Sequence, residues 1–151
     1  MSNKLSLAVQ YACDASPVPT SAQFRRWIKS ALRRDASISL RIVDEQEGRT
    51  LNHKYRGKDY ATNVLSFAYD EADPGHSGPL SGDVVICAPV VEREAAAQHK
   101  DLLAHYAHLA VHAALHLQGH EHESDADAAE MEATETAIML KLGYPDPYGT
   151  N

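Results

Sequence analysis

The sequence predicts a mixed α/β (α+β) fold in a single domain, with a mixed four-stranded sheet and about five helices. Three observations lead there. The chain has 151 residues, of which 44% are hydrophobic and 23% charged, inside the ordinary globular range for one domain. Apolar stretches of period two alternate along it with stretches of helical period. No repeat, low-complexity stretch or linker divides it, so residues 1–151 are expected to form one unit. At this size roughly 70% of the unfolded surface can be buried, so the fold needs neither disulfides nor a structural metal. A bound metal is therefore expected to be functional.

Leu5, Leu7, Val9 and Tyr11 alternate with polar positions, the pattern of a half-buried strand. Pro17 and Pro19 break the chain, and Thr20 with Gln23 forms a capping-box pair. Phe24, Trp27, Ile28, Ala31 and Leu32 then recur at helical spacing, which predicts a helix from about Thr20 to Arg34. Its other face carries Arg25, Arg26, Lys29, Arg33 and Arg34, suited either to solvent or to RNA. Ile38, Leu40 and Ile42 give a second strand ending at Asp44. Asp44 and Glu47 can cap a short helix carrying Leu51 and Tyr55, which Gly48 weakens. Thr62 to Ala68 and Gly82 to Cys87 are β-branched-rich and read as antiparallel strands joined by a long loop through Asp73, Pro74, Gly75, Gly78 and Pro79. Pro89 suits the first turn of a helix running to about His99. A longer helix covers about Leu102 to Gln118 and ends at Gly119. Ser124 with Asp127 opens the last helix, closed by Gly143 and Pro145, with Met131, Thr134, Ile138 and Leu142 as its apolar stripe and Glu130, Glu132 and Glu135 on a solvated face.

Composition excludes several classes. Cys13 and Cys87 lie far apart with no second thiol beside either, so a disulfide scaffold is not expected. No window reaches the ~18 apolar residues of a membrane span, and the first thirteen residues lack the apolar run of a signal peptide. A cytoplasmic protein is expected. The net charge of -7 argues by itself against a nucleic-acid partner, but eleven of the fourteen Lys and Arg fall in residues 1–60. Against six acids there, that segment carries 11 − 6, or +5, and the remainder 3 − 15, or -12.

The chemistry concentrates in His112-Ala-Ala-Leu-His116-Leu-Gln-Gly119-His-Glu-His122. Residues four apart on a helix share a face, with Cβ atoms about 5–6 Å apart, so His112 and His116 can address one ion. Gly119 can adopt the left-handed conformation that reverses the chain and returns His122 toward the same point. Three imidazoles around Zn²⁺, one ion per chain, leave a fourth position for water, the arrangement of catalytic zinc. Two competing readings stay open: histidines that meet no metal, and a closed structural site completed by His120, Glu121 or Glu123. The spacing resembles the metzincin protease signature, a zincin-like site on a helix and the following turn. The Glu that follows the first histidine in those proteases is here Ala113, which can neither take nor give a proton, so peptide hydrolysis by that route is not expected.

A closer resemblance is to the bacterial YbeY family of endoribonucleases, whose hallmark is His-Gly-x-Leu-His-Leu-x-Gly-Tyr-Asp-His. His112, Leu115, His116, Leu117, Gly119 and His122 match it, while Ala113, His120 and Glu121 stand where the family has Gly, Tyr and Asp. Leu51-Asn52, Tyr55-Arg56-Gly57-Lys58-Asp59, Thr62-Asn63-Val64-Leu65-Ser66-Phe67, Gly82-Asp83-Val84-Val85-Ile86 and the closing Leu142-Gly143-Tyr144 with Asp146-Pro147-Tyr148 also resemble the family, so the likeness spans most of the chain. The resemblance implies a metal-dependent, single-strand-directed endoribonuclease acting in ribosomal RNA maturation, at the 3′ end of the small-subunit 16S RNA, and in ribosome quality control. It implies single-stranded or ribosomal RNA and the small ribosomal subunit as partners, and no membrane.

By the same resemblance the three histidines are the metal ligands and Arg56 is the functional arginine, whose guanidinium can grip two phosphate oxygens. Lys58, Asp59, Asn63 and Ser66 are candidates for holding RNA or lining the cleft, with Thr62 and Asn63 better suited to a turn that bonds its own backbone. His105 and His108 share the helical stripe of His112, as partners of the ligands, as substrate contacts or as buried, hydrogen-bonded histidines. The alternative functions are a zinc hydrolase of small molecules or peptides, and a non-catalytic ribosome-assembly factor with structural zinc.

Overall fold

The alternating segments become strands Leu5–Tyr11 (β1), Ala36–Val43 (β2), Val64–Ala68 (β3) and Leu80–Cys87 (β4). They form one sheet in the order β1-β2-β4-β3 in a computed structural model that describes residues 3–13, 17–69, 79–119 and 124–149. β1, β2 and β4 run parallel and β3 is antiparallel to β4, so the sheet is mixed as the pattern predicts. The loop expected between β3 and β4 falls almost wholly outside the described residues.

Five helices accompany the sheet among the described residues: Ser21–Ser30 (α1), Glu45–Arg56 (α2), Ala88–Ala97 (α3), Leu102–Leu117 (α4) and Asp125–Leu142 (α5). The capping residues work as their spacing suggests. Thr20 and Gln23 exchange hydrogen bonds of 2.8 and 3.1 Å, and Asp44, Asp101 and Ser124 each accept from the backbone N–H three residues on. Gly48 belongs in α2 because a Cβ there would lie 3.0 Å from Cys87 Sγ, so the helix rests directly on the end of β4.

Two expectations need correction. α1 stops at Ser30 rather than Arg34, because the N–H groups of Ala31 and Leu32 bond carbonyls three residues back, at Ile28 and Lys29. That tighter turn folds Ala31 and Leu32 into the core. In α5 the buried stripe is Met131, Glu135 and Met139, four residues apart, while Thr134, Ile138 and Leu142 flank it half-buried. Glu135 is therefore inside the protein and not on a solvated face.

α4 is apolar on most sides and occupies the centre, packed on α1, α3, α5, β3 and β4. The main core gathers Phe24, Trp27, Ile38, Leu40, Ile86, Tyr106 and Leu115 between the sheet and its helices, and a smaller cluster of Val43, Cys87 and Val90 lies under α2 and α3. Gly82 lets the end of α4 close onto the sheet, since a Cβ there would meet Phe67 O at 2.7 Å and Leu117 Cδ2 at 2.8 Å. That close approach sets the last turn of α4, with His116, against β3. Cys13 and Cys87 are free thiols, and no helix among the described residues is long and apolar enough to cross a membrane.

Candidate active site

The four-residue spacing on α4 brings the rings of His112 and His116 side by side, their centroids 6.5 Å apart and their planes within 24°. Each ring is anchored through Nδ1. Ser66 Oγ on β3 lies 3.0 Å from His116 Nδ1, and Glu135 Oε2 on α5 lies 3.0 Å from His112 Nδ1. A carboxylate can only accept, so His112 Nδ1 carries the proton, and in the neutral ring Nε2 carries the lone pair. This is the anchoring that metal-binding imidazoles have, and the donor set fits a divalent cation such as zinc. The expected third ligand, His122, lies outside the described residues, as do His120, Glu121 and Glu123; the described residues gather no group of three metal-ligating side chains. Gly119 has φ +93°, the left-handed conformation expected of it at the end of α4.

Glu135 is the residue that periodicity misplaced. Its carboxylate is 1% exposed and also takes His108 Nε2 at 2.5 Å and the Tyr148 hydroxyl at 2.7 Å. Burial pushes its pKa upward, but the hydrogen bonds from His108, His112 and Tyr148 outweigh that and hold it down to about 2. Burial and the same carboxylate push the Tyr148 phenol up. Glu135 is thus an ionised acceptor that fixes His112 in one tautomer. The signal that could have found it is the spacing Met131, Glu135, Met139, which puts the acid in line with two core methionines.

Arg56, from the last turn of α2, meets the histidines across a cleft of about 210 Å³ that Val64, Leu65, Ser66 and Phe67 complete. Ser66 is placed as expected. Lys58 and Asp59 are exposed, and Asp59 is held by Arg49 in a two-pronged ion pair of 2.8 and 3.0 Å. Asn63 does not bond its own backbone as a turn residue would; its amide donates to Glu94 at 3.0 Å, and Glu94 lies 2.9 Å from His105 Nε2. His105 is therefore a buried structural histidine tying α4 to α3, with its pKa lowered by burial against the opposing pull of Glu94. His108 reaches His112 through Glu135.

A family model described as Endoribonuclease YbeY matches residues 11–143. The chain belongs to the YbeY endoribonuclease family. Relatives called Endoribonuclease YbeY include one from Chromobacterium violaceum, 58% identical with 98% of this chain and 90% of the relative covered, and one from Nitrosospira multiformis, 54% identical with 96% and 82% covered. The solution structure of TM1509 from Thermotoga maritima shares the fold, with a TM-score of 0.58 at 21% identity over 94% of this chain and 99% of that one. Ala113, where this YbeY chain departs from the hallmark glycine, is 1% exposed, so its methyl packs into the core and does not enter the cleft.

Proposed function

We propose that residues 1–151 form one YbeY-type domain that cleaves single-stranded RNA in the maturation of 16S ribosomal RNA at its 3′ end and in ribosome quality control. It would work in the cytoplasm on the small ribosomal subunit. The family supplies the reaction class: its members are endoribonucleases, hydrolases of RNA phosphodiester bonds, and this chain is one of them. His112, His116 and His122 would hold one zinc ion per chain. When bound, such an ion supplies a water nucleophile at neutral pH and positive charge toward the phosphate. The observation that carries this reading is the pair of imidazoles, each anchored at Nδ1, facing Arg56 across one cleft.

The chain's own residues do the rest. Glu135 and Ser66 hold the two rings, so their coordinating edges need no reorganisation. Arg56 presents a planar fork that pairs two phosphate oxygens as negative charge builds in the transition state. A small-molecule or peptide hydrolase, and an assembly factor with structural zinc, are both disfavoured by relatives that carry the endoribonuclease name.

Elemental analysis paired with cleavage of a single-stranded RNA before and after chelation tests the proposal. Chelation is expected to abolish cleavage while far-ultraviolet circular dichroism stays that of the folded chain. Unfolding on chelation would make the metal structural. His116→Ala is expected to lose the metal, and full occupancy in that variant would contradict the ligand set.

A further inference from the structure

We propose that Tyr55, Phe67 and Tyr69 form a stacking platform for unpaired bases beside the cleft; this rests on the endoribonuclease reading and adds to it the means by which a single strand is recognised.

The argument begins with sheet register. Ser66 pairs with Val84 and Phe67 with Asp83, so neighbouring residues of β3 point to opposite faces. Ser66 turns toward α4 and holds His116, while Phe67 turns toward the face that carries Asp83. Tyr69, two residues on, shares that face and donates its hydroxyl to Asp83, which fixes its ring. Tyr55 comes from α2 one residue before Arg56, and its ring lies 5.0 Å from that of Phe67 at 52°. Phe67 also lines the cleft with Arg56 and the histidines. Phe67 thus joins the cleft it lines to the Tyr55 ring it touches, and Tyr69 lies on the same side of β3 as Phe67.

Exposure and charge identify the occupant. Tyr55 is 54% and Tyr69 62% exposed, far from what folding alone asks of large rings. Residues 53–60 are exposed throughout and interleave Lys54, Arg56 and Lys58 with Tyr55 and Tyr60, and Asp59 within them is countered by Arg49. The Lys54 ammonium sits 5.2 Å from the centre of the Tyr55 ring. A protein partner would favour a continuous apolar surface, whereas the Tyr55 ring among Lys54, Arg56 and Lys58, with the Asp83 carboxylate taken up by the Tyr69 hydroxyl, suits a strand whose bases stack while its phosphates pair. Bases in a duplex already have their faces covered, so such a platform selects unpaired RNA of any sequence.

The test uses the metal-loaded full chain and two ligands of equal length: a single-stranded RNA as substrate, and a base-free ribose-phosphate strand as competitive inhibitor. For Tyr55→Leu the KM for RNA is expected to rise about tenfold, in line with the loss of one stacked base, more than kcat falls. The inhibition constant of the base-free strand should stay within about twofold of the wild-type value, since its phosphate contacts remain. Tyr55→Phe should restore the RNA KM, and Lys54→Ala should weaken both ligands. An unchanged KM in Tyr55→Leu, or an equal loss for the base-free strand, would overturn the platform while leaving the endoribonuclease reading intact. Failure of the wild-type chain to cleave single-stranded RNA would overturn that reading and the platform with it.

Discussion

Arg56 lines the cleft with the histidines, Glu135 holds His112 at Nδ1, and the two are expected to fail in different ways when replaced. Arg56 is exposed and touches neither anchor, so Arg56→Ala should keep fold and metal content and lower turnover by about 10²–10³, the usual scale for removing one group that stabilises transition-state charge. Unchanged turnover would remove it from the mechanism. Glu135→Gln keeps the size of the side chain but loses the ionised acceptor shared by His108, His112 and Tyr148. Metal affinity should then fall about 10–100-fold, measured by competition with a chromophoric chelator. Equal affinity in the two proteins would reduce Glu135 to a packing role. Arg56 was legible in the sequence through its motif, whereas Glu135 was not, because an acid among alanines and other acids reads as solvent-facing until a neighbouring helix covers it.

At the scale of elements, the site is a joint between α4 and the edge of the sheet. α4 can place His116 on Ser66 only because Gly82 leaves room for Leu117 against β4. Gly82→Ala would press a methyl into Phe67 O and Leu117 at 2.7 and 2.8 Å. A loss of about 1–3 kcal/mol in urea unfolding is expected from that overpacking, and a neutral result would show that α4 can slide. Helix starts were legible because a cap is a local event: Thr20, Asp44 and Ser124 each bond a backbone N–H three residues away. The end of α1 was less so, since whether Ala31 and Leu32 continue a helix or turn inward is decided by the core they enter.

For the whole molecule, the charge split along the sequence does not map simply onto a basic face. Arg41 is engaged by Glu47 and Arg49 by Asp59, and α1, which carries Arg25, Arg26 and Lys29, packs beside β1, α4 and α5 and lines no part of the cleft. Arg56 lines the cleft, and Lys54 and Lys58, its near neighbours in the chain, are exposed. RNA affinity should fall steeply as salt rises, and Lys58→Ala should reduce the slope of log K against log salt by about 0.7, the value for one phosphate contact on a single strand. A slope equal to that of the unaltered chain would place Lys58 off the RNA path.

By itself the sequence determined the fold class, the caps, the strand pairing of β3 with β4, and the histidine spacing on α4, since each depends on residues within a few positions or on a single apolar period. Only the tertiary structure decided that Ser66 and Glu135 anchor the two rings, that Asn63 reaches Glu94, and that Tyr55 meets Phe67, contacts spanning from 12 to 50 positions along the chain. A hydrogen bond or ring contact joins residues far apart in the chain, and a local pattern can at most say that one partner is buried, as the Met131, Glu135, Met139 spacing does, but not what it meets.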